Sequence, residues 1–231
     1  MKLWRCLLCL LPLAAALCGC GGLLRSTAAP EQTYYLRAPE LPAGTAAAAG
    51  APLSSLRIAR PLADPGLESS HIMLLESDHR MSFYSGSRWP APMPQMIGAL
   101  TVQSLRASGQ WASVEDAASA FPSDYLLQMT VRRFDADYAA GATAAPQVHV
   151  VLDCNIGRRD GREVIGSFVV QGNAAAAANR LSEVVGAFEE ATGAALTALS
   201  AQAAAAVQAD RARGDAQKPT SPAPSSSRQS Q

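Results

Sequence analysis

The reactive group this sequence presents most clearly is a thiol near its start. Lys2 and Arg5 lead into an apolar run from Cys6 to Leu17, which stops at Leu17-Cys18-Gly19-Cys20. About a dozen apolar residues are too few for a bilayer, which takes roughly twenty, and they suit a secretory signal peptide. The ending resembles a lipobox, with Leu17 at −3, a small residue at −2, Gly19 at −1 and Cys20 as the +1 residue. The chemistry needs a thiol to take a diacylglycerol and small flanking residues to fit the peptidase. Cys18 is the competing thiol, but it would set Leu17 at −1, where a small side chain is required. Cys20 is therefore the expected lipidation site; the plainer alternative is an ordinary secreted protein whose Cys20 belongs to the leader. Several acyl chains hold stably where one is marginal, since each buried methylene adds about 0.8 kcal/mol.

Elsewhere the chemical signals are weak. His71, His79 and His149 form neither His-Glu-x-x-His nor a Cys/His zinc spacing. Asp78-His79, with Ser77 or Ser82 nearby, has the residue types of a hydrolytic dyad. Strand neighbours point to opposite faces, however, and no Gly-x-Ser-x-Gly elbow is present, so a solvated loop is the reading we favour. Cys6 and Cys9 leave with the leader, and Cys154 has no partner for an internal disulfide in the body. It lies in phase with Val148, Val150, Leu152 and Ile156, the setting of a buried, inert thiol. No catalytic residue, metal site or cofactor is expected. Arg88-Trp89 has two readings: a core tryptophan with the arginine over it, or a surface anchor pair that meets a partner. Arg158, Arg159 and Arg162 are placed to meet lipid headgroups or an acidic partner, against the default of a solvated turn.

The elements that must position these groups can be read from periodicity. Thr33–Leu36, Leu56–Ala59, His71–Glu76, Met81–Tyr84 and Trp111–Val114 are short strand candidates. Met93, Met96, Ile97, Leu100 and Leu105 fall on one helical face between Pro94 and Gly109, so a helix is predicted over Pro94–Ala107. Tyr125–Phe134 alternates until Phe134 breaks the phase, predicting a bulge near Arg132-Arg133. Gln147–Ile156 alternates most clearly, and Asp160-Gly161 turns the chain into an antiparallel partner over Glu163–Val170. Asn173 is placed to cap an Ala-rich helix with the stripe Leu181, Val184, Val185, Phe188, Ala195 and Leu199, extending toward Val207. The expectation is an α+β fold: a mostly antiparallel sheet with two main helices packed on one face. The organisation reads as a signal peptide (1–19), a lipidated tether (20–32), one domain (33–208) and a disordered tail (209–231) rich in Pro, Ser and Gln.

Removing residues 1–19 leaves 212 residues, ample for one domain with a real core. The full chain balances 19 basic against 19 acidic residues; losing Lys2 and Arg5 leaves a net charge of −2. No basic excess points to nucleic acid.

The order of elements and several residues resemble the ABC-type transport auxiliary lipoproteins, the PqiC-like family. The matching pieces are the lipobox at Cys20, Thr33-Tyr34-Tyr35-Leu36, and Tyr84 with Arg88-Trp89 before the first helix. To these are added the helix end at Ser108-Gly109 with its following strand, Tyr125-Leu126-Leu127, and the hairpin. The resemblance covers about residues 33–205; the sequence departs from the pattern in an Ala-rich insert at 43–51 and an extended tail. It implies a non-catalytic auxiliary subunit of an MCE-type ABC lipid transport system, anchored at the periplasmic face of the outer membrane by Cys20. The implied partner is a periplasmic MCE-domain protein, with self-association of the domain as a further expectation. Arg88 and Trp89 would belong to the partner-binding surface. Gly21 at +2 is compatible with outer-membrane sorting, and without a Walker motif here the ATPase must be another subunit. The competing expectation is a structural or assembly lipoprotein of another envelope complex, such as a secretion or cell-wall machine.

Overall fold

A computed structural model of the chain describes residues 30–41 and 52–217. The leader, Cys20, the Ala-rich insert and residues 218–231 lie outside the described residues. The chain divides into Met1–Glu31, of which only Pro30 and Glu31 are described, and Gln32–Gln231, which carries the fold.

Three long antiparallel strands make the body of the sheet: β7 (Tyr125–Asp137), β8 (Gln147–Arg158) and β9 (Val164–Ala175). The free edge of β7 is shared, end to end, by three short parallel strands. β2 (Leu56–Ile58) pairs with its start, β3 (Leu62–Ala63) with its middle and β4 (His71–Leu75) with its end. Pro61, which has no N–H to give the ladder, stands between β2 and β3. β5 (Met81–Arg88) then pairs antiparallel with β4, β1 (Gln32–Thr33) lies along β5, and β6 (Val114–Glu115) lies along β2. Among the described residues this mixed nine-stranded sheet, antiparallel in its long pairings, carries two helices and is the expected α+β fold.

Helices α1 (Met93–Ala107) and α2 (Leu181–Gln217) cover one face. Tyr125, Leu127, Met129 and Val131 of β7 point to that face. The register shift between Val131 and Arg133 adds one residue, so the inward set changes parity and continues as Phe134 and Ala136. The bulge expected near Arg132-Arg133 is therefore present. On β8, Val148, Val150, Leu152, Cys154 and Ile156 are fully buried. Helix α1 starts behind Pro92 and ends at Ser108, followed by Gly109 in the left-handed region (φ 63°).

Two expectations are corrected. Asn173 does not cap a helix: it lies within β9, paired with His149, and its side-chain oxygen is 2.6 Å from His149 Nδ1. The strand continues to Ala175 because β8 offers it a full-length partner, and α2 begins only at Leu181. The tail expected to be disordered from residue 209 is helical through Gln217. Its anchor is Asp210, only 5% exposed, which accepts a hydrogen bond from the Tyr125 hydroxyl at 2.9 Å. Arg158 (3.5 Å) and Arg213 (3.3 Å) supply positive charge to the same carboxylate.

Gly172 decides how closely α2 approaches the sheet. A Cβ there would stand 1.9 Å from the carbonyl oxygen of Ala191 and 2.9 Å from the amide nitrogen of Ala195. Gly186, exposed on the same helix, has open space around its α-carbon. Gly172→Ala is expected to lower stability by about 3 kcal/mol or more in urea unfolding, because backbone must move. Gly186→Ala is expected to raise it by roughly 0.5–1 kcal/mol. Equal effects from the two would contradict this packing.

Candidate functional site

The Arg88-Trp89 pair divides between surface and core. Trp89 is fully buried; its ring meets Phe134 edge-on at 5.9 Å and Phe188 at 5.3 Å, while Phe134 and Phe188 are 4.8 Å apart. These three rings join the residue after β5 to β7 and α2 at one point. Arg88 is half-buried at the end of β5, donating to the Ser70 hydroxyl at 2.8 Å and the Trp89 carbonyl at 3.4 Å. Further back along β5, Tyr84 shares a hydroxyl–hydroxyl bond of 2.8 Å with Tyr138, and Tyr138 donates to Asn179 Oδ1 at 2.8 Å. Burial, then the Tyr138 contact, pushes the Tyr84 phenol well above its ordinary range. This relay ties the middle of β5 and the end of β7 to the turn before α2.

A charged concavity lies at the other end of β7, where the β8–β9 hairpin closes. An open groove of about 650 Å³ is lined there by Arg57, Arg158, Arg159 and Arg162, with Glu163 as its carboxylate. Leu126 and Val164 line it with apolar surface. Arg57, on β2, bonds the carbonyls of Ser119 (2.5 Å) and Phe121, and its Nε lies 3.4 Å from Ser123 Oγ. Arg159 donates to that same hydroxyl at 3.2 Å. Arg158 is matched by Glu163 at 2.5 Å and by Asp210. The sequence singled out the hairpin arginines; Arg57 and Ser123 join them only through the parallel pairing of β2 with β7.

The other candidates are brought to no common site. His79 stands in a turn with left-handed backbone (φ 66°), and Asp78 is bound to Arg80 at 2.7 Å. Cys154 is buried in the inner face of β8; burial, then Asp153, pushes its thiol up to about 12. His149 faces the opposite side of the sheet, beside Asn173 and 3.9 Å from Asp137. Among the described residues no three His, Cys, Asp or Glu side chains cluster to hold a metal. No helix among them is long and apolar enough to cross a membrane.

A mixed sheet covered on one face by two helices among the described residues defines an α+β domain. The chain belongs to the ABC-type transport auxiliary lipoprotein component family, whose model matches residues 34–207. Among solved structures it is similar to protein XCC0632 of Xanthomonas campestris, at 23% identity and a TM-score of 0.70 over 78% of this chain and 99% of that one. A second, uncharacterized protein matches at 16% identity and a TM-score of 0.55, over 77% of this chain and 98% of that one. At these identities the two structures speak for the fold. No curated protein matches the chain.

Cys154 and Tyr125, together with Tyr84, make stability depend on alkaline pH. The Cys154 thiol is raised from 9.0 to about 12, and the Tyr125 phenol from 10.0 to about 12 by burial and then its bond to Asp210. Both folded values exceed the unfolded ones, so the folded chain keeps protons that the unfolded chain releases. The contribution is complete below the unfolded values and is lost as pH climbs toward the folded ones. Urea midpoints are expected to fall between about pH 9 and pH 11, and Cys154→Ala with Tyr125→Phe is expected to flatten that fall. An identical slope in the double variant would contradict the assignment.

Proposed function

We propose that this chain is a lipid-anchored, non-catalytic auxiliary subunit of an MCE-type ABC lipid transport system, docking the periplasmic MCE assembly at the outer membrane. The observation that carries the reading is the family match over residues 34–207, which takes in nearly all the sheet and most of α2. The geometry supports work by contact. The helices bury one face of the sheet, the free thiol lies inside, and exposed Phe83, Met81 and Val169 remain for association. Arg88, half-buried at the end of β5, belongs to the proposed docking surface, with Trp89 fixing it from the core. Cys20, as the +1 residue of the lipobox, supplies the anchor, and Gly21 suits the outer membrane.

Crosslinking and affinity purification of the full chain from envelopes are expected to recover an MCE-domain protein with its permease and ATPase. Recovery of secretion or cell-wall components alone would overturn the transport reading in favour of a structural lipoprotein of another machine. Cys20→Ala is expected to move the protein from the membrane to the soluble fraction; retention in the membrane would remove the anchor from the account.

A further inference from the structure

We infer that the groove at the closed end of the β8–β9 hairpin binds a phosphate ester bearing an apolar tail, the chemistry of a phospholipid headgroup. The inference rests on the lipid-transport role proposed above only for the source of the ligand; the site itself rests on its own geometry.

The central observation is two guanidinium groups converging on one neutral oxygen. Arg57 Nε and Arg159 Nη1 lie 3.4 Å and 3.2 Å from Ser123 Oγ. A hydroxyl accepts hydrogen bonds but carries no charge to offset two cations held this close. The other hydrogen bonds of Arg57 go to carbonyls, and Glu115, opposite it in register, gives a carboxylate oxygen to the Ser119 hydroxyl at 2.7 Å. Glu163 and Asp210 are both taken up by Arg158. Among the described residues Arg57, Arg159 and Arg162 therefore make no ion pair, although all three line one groove.

Other arginines on the open face of the sheet are matched. Arg132 bridges Asp64 at 2.8 Å and Asp153 at 2.9 Å, and Arg133 holds Asp135 at 2.7 Å and Asp137 at 3.1 Å. At the hairpin three arginines line one groove without a carboxylate partner among the described residues, and phosphate oxygens suit the forked donors of guanidinium. Arg57 is already fixed by its carbonyl bonds, so little side-chain freedom is left to lose on binding. The apolar surface of Leu126 and of Val164, 62% exposed, adjoins the arginines. A free phosphate would use only the cations; a lipid would use both surfaces.

The test is calorimetry on the full chain in neutral maltoside detergent, titrated with dihexanoyl phosphatidylglycerol and, separately, with inorganic phosphate. The lipid is expected to bind roughly tenfold or more tightly than phosphate, with affinity falling as salt rises. Arg159→Gln with Arg162→Gln, both at exposed positions, is expected to weaken lipid binding by about tenfold or more while leaving the thermal midpoint unchanged. Equal binding of the two ligands, lost together in the variant, would overturn the lipid assignment in favour of a free-phosphate site. Binding of neither, or binding unchanged in the variant, would overturn the site. Loss of partner recovery by a variant whose parent binds no lipid would assign these arginines to an acidic protein face and also overturn it. Lipid binding lost on substitution, in a chain that never recovers an MCE protein, would uphold the site while the transport role fell.

Discussion

The backbone of α2 rests on the backbone of β9 at Gly172, and the rest of the domain is arranged around that contact. With 1.9 Å between a notional Cβ and the Ala191 carbonyl oxygen, no other residue fits without moving the helix. The alanines at 187, 191, 195 and 203 are buried along the same helix, where larger side chains would hold it away from the sheet. Close packing of this kind gains many weak dispersion contacts at small apolar area per residue. It also explains the opposing surface: β8 presents Val, Leu, Cys and Ile inward, filling the space the alanines leave.

Covering one face leaves the other available. On that open face Arg132 and Arg133 of β7 are neutralised by aspartates of β7 and β8, while apolar Phe83 and Val169 stay exposed on β5 and β9. The hairpin end differs because Arg57 and Arg159 meet the neutral oxygen of Ser123 instead. An auxiliary subunit acts through the surfaces it offers to other molecules. Burial of the thiol and engagement of Asp78 by Arg80 fit that division of labour, since the reactive groups serve packing or turns.

How much of this could be read from the sequence depended on how local the deciding interaction was. The alternation of Val148 through Ile156, the phase break before Phe134 and the Pro- and Gly-bounded α1 were legible because each follows from neighbours in the chain. Asn173 misled because its side chain suits a helix cap, while its strand pairing depends on His149, 24 residues away. The extent of α2 was likewise hidden. Asp210 reads as a solvated tail residue until Tyr125, 85 residues earlier, is found donating to it. Trp89 was ambiguous in sequence and is placed by Phe134 and Phe188, which lie on different elements. The groove was half legible: the hairpin arginines stand together in the chain, whereas Arg57 and Ser123 arrive through parallel strand pairing.

The central structural claim, that α2 and the long strands form one cooperative unit pinned from Gly172 to Asp210, is open to native-state hydrogen exchange. The amides of β8 and those of α2 from Val184 through Val207 are expected to exchange with one common free energy, that of global unfolding, and protection is expected to persist to the turn holding Asp210. Exchange of α2 at a free energy several kcal/mol below that of β8 would show a helix that opens separately, and would contradict the account.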